Sequence, residues 1–146
     1  MNIIFEPKKA ATYLGAIIAF LIAAYIAGFI SRYFLGHDYV FGLVPLFDLD
    51  VEGNIPSLFS SVSILLCSGL LYIIGTAHMK DGNKESYYWM GLAAIFLFLA
   101  LDEGATIHER LIGPMKGIME DTGYPYLTWV VPYIIFSTGI GLIYLR

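Results

Sequence analysis

The charged positions cut the chain into four long uncharged stretches. These are Ala10–Ser31 (22 residues), Gly53–Ala77 (25), Ser86–Leu101 (16) and Thr122–Leu145 (24). A membrane-crossing helix needs about 20 mostly apolar residues to cover roughly 30 Å. Three stretches meet that length directly. The third, at 1.5 Å per residue, covers only about 24 Å. It crosses fully only if its helix continues through Asp102, Glu103 and Gly104 to about Ala105, which sets two carboxylates at one edge of the bilayer. The pattern predicts four transmembrane helices, over about 10–34, 55–78, 86–112 and 125–145, as an antiparallel bundle in a single membrane domain covering 1–146.

Local chemistry marks the limits of these helices. Asp81–Gly82–Asn83 is a turn signal between the second and third. Gly113–Pro114 is a stop for the third, Pro125 suits the first turn of the fourth, and Pro132 kinks it. Pro56, near Asn54, suits the start of the second. The first apolar run is longer than the core of a secretory signal, and no A-x-A site follows it, so it is read as a retained span. Residues Tyr39–Phe47 are apolar but too short to cross. They are expected on, or dipping into, the outer leaflet.

Helix–helix contact is expected through small residues. Gly15, Ala19, Ala23 and Ala27 recur every four positions on the first helix, and Ser137 and Gly141 make a weaker version on the fourth. Ser57, Ser60, Ser61, Ser63 and Ser68 on the second are set to bond neighbouring helices or their own preceding turn. Tyr33, Tyr39, Tyr87, Tyr88, Trp89, Tyr124, Tyr126 and Trp129 fall at span ends, as in an interfacial aromatic belt.

Composition excludes several classes of function. The chain is 58% hydrophobic and 14% charged, against about 25% charged in ordinary soluble domains. That is too little charge to cover a soluble enzyme or to keep a tail disordered. A net charge of −4 without a basic run argues against nucleic acid as a partner. The single Cys67 excludes an internal disulfide, a cysteine-based zinc site and a CxxC redox pair.

Charge placement suggests an orientation. Lys8, Lys9, Lys80, Lys84 and Arg146 fall on one side of the spans, and Arg32, Arg110 and Lys116 on the other. The positive-inside rule then puts both termini and the 78–85 loop in the cytoplasm. The acids follow: Glu6, Asp81 and Glu85 lie inside, and Asp38, Asp48, Asp50, Glu52, Asp102, Glu103, Glu109, Glu120 and Asp121 outside. The expected location is a bacterial inner membrane, crossed several times.

Two outer-face clusters could carry chemistry. The first is Leu101-Asp-Glu-Gly-Ala-Thr-Ile-His-Glu-Arg110. On an unbroken helix at 100° per residue, Thr106 and Glu109 fall within about 40° of Asp102, with Glu103 and Arg110 on the flank. His108 falls about 120° away, off that stripe. Ionisable groups at membrane depth are costly and usually face a protein interior or a wet cavity. The plainer reading is that these acids cap the span at headgroup level. The second cluster is Asp48-Leu-Asp50-Val-Glu52-Gly53-Asn54. Acids at positions one, three and five with Gly at six copy the start of a calcium loop, but the twelfth position is Phe59, which excludes a complete EF-hand. The plainer reading is an acidic, solvated loop. His37 and His78 complete the histidines and read as polar surface. No pair of Glu-x-x-His motifs supports a di-iron site, and no G-x-S-x-G supports a serine hydrolase.

The segments Asp48–Ser60 (DLDVEGNIPSLFS) and Phe98–Leu111 (FLALDEGATIHERL) resemble the two most recognisable stretches of a family of small, uncharacterised bacterial inner-membrane proteins. Its members carry an acidic-Gly-Asn-Ile-Pro segment before one helix and an LDExxxIHERL motif at the end of the next. The resemblance implies a site built on Asp102, Glu103, His108 and Glu109, with Glu52, Gly53 and Asn54 from the loop, and implies no activity. Members of that family often continue beyond the fourth helix, so by this resemblance a chain ending at Arg146 is expected to serve as a subunit.

Three functions compete. The preferred one is a non-catalytic accessory or structural subunit of a membrane assembly, its partners being lipid and other membrane subunits or further copies of itself. In that reading the outer-face cluster (Asp102, Glu103, His108 and Glu109, with Asp48, Asp50 and Glu52) binds a divalent cation. The second is a metal-dependent membrane enzyme using Asp102, His108 and Glu109. The third, a proton-coupled transporter, rests on Asp102 alone, because no acid or base lies in the middle of a span.

Overall fold

A computed structural model describes residues 6–110 and 130–145. It is helical throughout, with no strand among the described residues. The helices are α1 (Pro7–Phe34), the short α2 (Leu43–Leu46), α3 (Ile55–Lys80), α4 (Ser86–Ala105) and α5 (Val130–Tyr144), with a 3₁₀ turn at Val40–Gly42. Three of them, α1, α3 and α4, are long and apolar enough to cross a membrane; α5 is a shorter apolar helix. The expected signals at Gly113–Pro114 and Pro125, the residues Lys116, Glu120, Asp121, Tyr124, Tyr126 and Trp129, and the limits at 112 and 125 lie outside the described residues.

The chain divides into two compact units, Met1–Ser57 and Leu58–Arg146. In the first, Pro7 opens α1 at a position where its missing N–H costs nothing. The other end is closed reciprocally: the His37 amide donates to the Ser31 carbonyl, and the Ser31 hydroxyl donates to the His37 carbonyl. The chain then folds back so that α2 lies on α1. Val44 is buried and stands 3.7 Å from where a Cβ on Gly28 would be. Phe20 meets Phe47 edge-on at 5.9 Å. The return requires Val40, Phe41 and Gly42 all at positive φ. That geometry is free for glycine and strained for the β-branched Val40.

The loop after α2 is tied by Asn54. Its side-chain amide nitrogen donates to the carbonyls of Asp48, Val51 (2.8 Å) and Pro45 (3.4 Å). Its side-chain oxygen accepts from the Ser57 amide (3.2 Å), while the Ser57 hydroxyl accepts from the Asn54 backbone amide (2.9 Å). This reciprocal cap starts α3 and satisfies backbone donors that the helix leaves open.

In the second unit α3 and α4 run antiparallel. Gly82, at φ 68°, ends α3, and the Asn83 amide donates back to the His78 carbonyl (3.0 Å). Two serines of α3 bond across to α4: Ser68 to the Ala93 carbonyl and Ser61 to the Ala100 carbonyl, both at 2.7 Å. Ser63 instead bonds the Phe59 carbonyl of its own preceding turn. Gly75 lets Met90 approach, since a Cβ there would lie 2.9 Å from its sulfur. The helix α5 runs antiparallel to α4. The Tyr144 hydroxyl donates to the Tyr88 carbonyl (2.7 Å), and Phe136 meets Phe98 edge-on at 6.1 Å. Small residues and hydroxyls at these contacts are how helices associate in lipid, where apolar burial alone offers little drive.

Candidate functional site

The helix α4 reaches Ala105, the length at which it covers a bilayer. It does not continue unbroken to 112. Thr106 turns left-handed (φ 51°, ψ 42°), and its amide bonds the Asp102 carbonyl to close the end; residues 107–110 are then helical again. This break rewrites the helical projection, because an unbroken helix puts His108 well away from Asp102. Past the left-handed residue, His108 folds back onto it. The His108 amide donates to Asp102 Oδ1 at 2.8 Å, and His108 Nδ1 lies 3.3 Å from Asp102 Oδ2. Both residues are buried, Asp102 at 5% and His108 at 9% relative exposure.

Tyr133 of α5 completes the cluster. Its ring meets the His108 imidazole edge-on at 6.4 Å, and its phenol also interacts with the Asp102 carboxyl. Sequence pattern does not single this residue out. Its one signal is a phenol inside the apolar stretch, away from the span ends where the other tyrosines fit a belt. Glu103 is half-buried, and Glu109 and Arg110 are exposed.

The loop cluster of the first unit uses its acids in a similar way. Asp48 is buried, with Oδ1 accepting the Asp50 amide (3.1 Å) and Oδ2 3.1 Å from Arg32 Nη2 of α1. Asp50 Oδ2 accepts from the Tyr25 hydroxyl (3.3 Å). Glu52 is half-buried. Here, as at Asp102, one carboxylate oxygen holds a backbone amide a few residues onward and the other holds a nitrogen-bearing side chain. The cavity among Tyr25, Arg32, Asp48 and Asp50 measures about 30 Å³, room for little more than a water molecule. Among the described residues, no group of three or more His, Cys, Asp or Glu side chains is arranged to hold a metal ion.

A family match covers residues 10–146, nearly the whole chain. The protein belongs to the DUF8692 family, a domain of unknown function. No curated protein and no solved structure matches it. The DUF8692 match takes in α1 to α5, so the Arg32–Asp48 contact and the Asp102–His108–Tyr133 cluster both fall inside the family's domain rather than on an appendage.

Proposed function

We propose that this DUF8692 protein is a small multi-pass inner-membrane protein acting as a non-catalytic subunit of a membrane assembly. In this reading α5 provides a fourth span and both termini are cytoplasmic. One observation carries the role: the Asp102 carboxylate is taken up inside the protein, one oxygen holding the His108 amide, the other facing its ring, with the Tyr133 phenol of α5 also on the carboxyl. A carboxylate used this way holds a broken helix end together. The exposed apolar faces agree with it. Only 6%, 11% and 17% of the apolar windows of α1, α3 and α4 are buried within the protein, which leaves broad surfaces for lipid and for partner helices. Purification in a mild detergent followed by native mass measurement tests the role. Co-purifying subunits or a defined oligomer are expected, and a monodisperse lone monomer overturns it.

A second reading keeps a metal-dependent enzyme using Asp102, His108 and Glu109. The contact at His108 Nδ1 favours it, since a carboxylate on one ring nitrogen is how a metal-binding histidine is usually oriented. Metal content of the purified protein decides. Equal content in wild type and in the Asp102→Ala, His108→Ala double variant removes this reading.

A further inference from the structure

The start of α4 and the end of α5 form a groove at the opposite end of α4 from the Asp102 cluster. It is lined by Glu85, Tyr88, Trp89, Leu92, Ile143 and Tyr144, and has a volume of about 390 Å³. Its walls are built rather than incidental. The Tyr144 hydroxyl is fixed on the Tyr88 carbonyl, and the two rings meet edge-on at 5.7 Å and 72°. Tyr144 fits there because Gly91 has no side chain; a Cβ would lie 2.7 Å from its hydroxyl. On the α3 side His78 lies nearly parallel to Trp89 (13°, 6.1 Å), and His78 Nδ1 is 3.1 Å from the Asn83 side-chain nitrogen. Asn83 in turn holds the Glu85 amide (3.0 Å) and reaches its carboxylate (3.5 Å). Aromatic orientation and carboxylate position are thus set by the same short turn.

Three aromatic rings beside one carboxylate are the donor set for an ammonium group, through ring faces and charge together. The groove lies at the first turns of α4, one of the three helices long and apolar enough to cross a membrane, and its floor continues into apolar Leu92 and Ile143. An ammonium next to an apolar tail describes an ammonium-bearing lipid. We propose that this groove is a headgroup site for an ammonium-bearing lipid, with Glu85, Tyr88, Trp89 and Tyr144 around the ammonium and the acyl chain along Leu92 and Ile143. The site needs α4 to cross the bilayer and is independent of the accessory role.

The test adds dioleoyl phosphatidylethanolamine and dioleoyl phosphatidylglycerol in equal amounts to the full-length protein in detergent. Retained lipid is read by native mass spectrometry. Wild type is expected to keep the ethanolamine lipid over the glycerol lipid by roughly fivefold, the scale of a partly desolvated cation–aromatic contact. Glu85→Gln and, separately, Trp89→Leu are expected to bring the ratio towards one, with helicity by circular dichroism unchanged for Glu85→Gln because Glu85 is exposed on a turn. Equal retention by wild type overturns the proposal, as does a preference that survives both substitutions. Displacement of the lipid by free ethanolamine at matching concentration also overturns it, since the groove is then a site for a soluble amine.

Discussion

Asp102 and His108 differ in what their removal exposes. Asp102→Ala takes away the partner of a buried backbone amide, of the imidazole and of the Tyr133 phenol together, and a buried donor left unsatisfied costs about 1–3 kcal/mol. His108→Ala leaves the amide on Asp102 Oδ1 and removes only the ring. Thermal unfolding in detergent is therefore expected to fall further for Asp102→Ala than for His108→Ala. Equal losses would mean that the ring contact, not the amide, holds the helix end. Thr106 offers a complementary check. A non-glycine residue in the left-handed region is strained by about 1–2 kcal/mol, so Thr106→Gly is expected to raise the melting temperature while Asp102 stays in place.

Among the helices, the α3–α4 pair depends on what is small or hydroxylated at the contact. Ser68 is buried and its hydroxyl ends on the Ala93 carbonyl. Ser68→Ala should cost about 0.6 kcal/mol, the average for hydrogen bonds between membrane helices, and no more than about 1.7. Gly75→Val is expected to cost more, about 1–3 kcal/mol, the usual range for overpacking a close contact. The Met90 backbone nitrogen would lie 3.2 Å from the first added carbon and cannot swing aside as its side chain can. Reversible unfolding of the single variants measures both. The hydroxyls of α3 are readable from the sequence as bonding groups. Which of them cross to α4 is not, because Ser61, Ser63 and Ser68 are chemically alike and only the facing helix distinguishes them.

For the whole molecule, orientation is the property most open to a direct test. With Cys67→Ser as background, Asn83→Cys is expected to react with a membrane-impermeant maleimide only after permeabilisation, and Asp38→Cys in intact cells. The opposite pattern reverses the orientation that the basic residues imply. The sequence made α1 and α3 legible because their uncharged runs are as long as a bilayer is thick, and α4 because its shorter run reaches that length once extended to Ala105. It made the Asp48–Asn54 loop and the 102–109 stretch legible as candidates because charge is scarce elsewhere. It did not make their internal contacts legible. The resemblance of Asp48–Gly53 to a calcium loop does not foretell that Asp48 lies against Arg32 and Asp50 against Tyr25.

What the sequence determined alone is therefore set by length and polarity. Helices form where backbone groups must be satisfied without water, and apolar runs of span length fix where they lie. The turn at Asp81–Asn83 follows from residues that bond their own backbone. Only the tertiary structure decided the site. One left-handed residue, Thr106, resets the direction of the chain, so His108 meets Asp102 instead of pointing some 120° away as an unbroken helix would place it. Tyr133 reaches the same point from about thirty positions further along the chain. Periodicity within one segment carries no information about either event, because both depend on which backbone lies opposite.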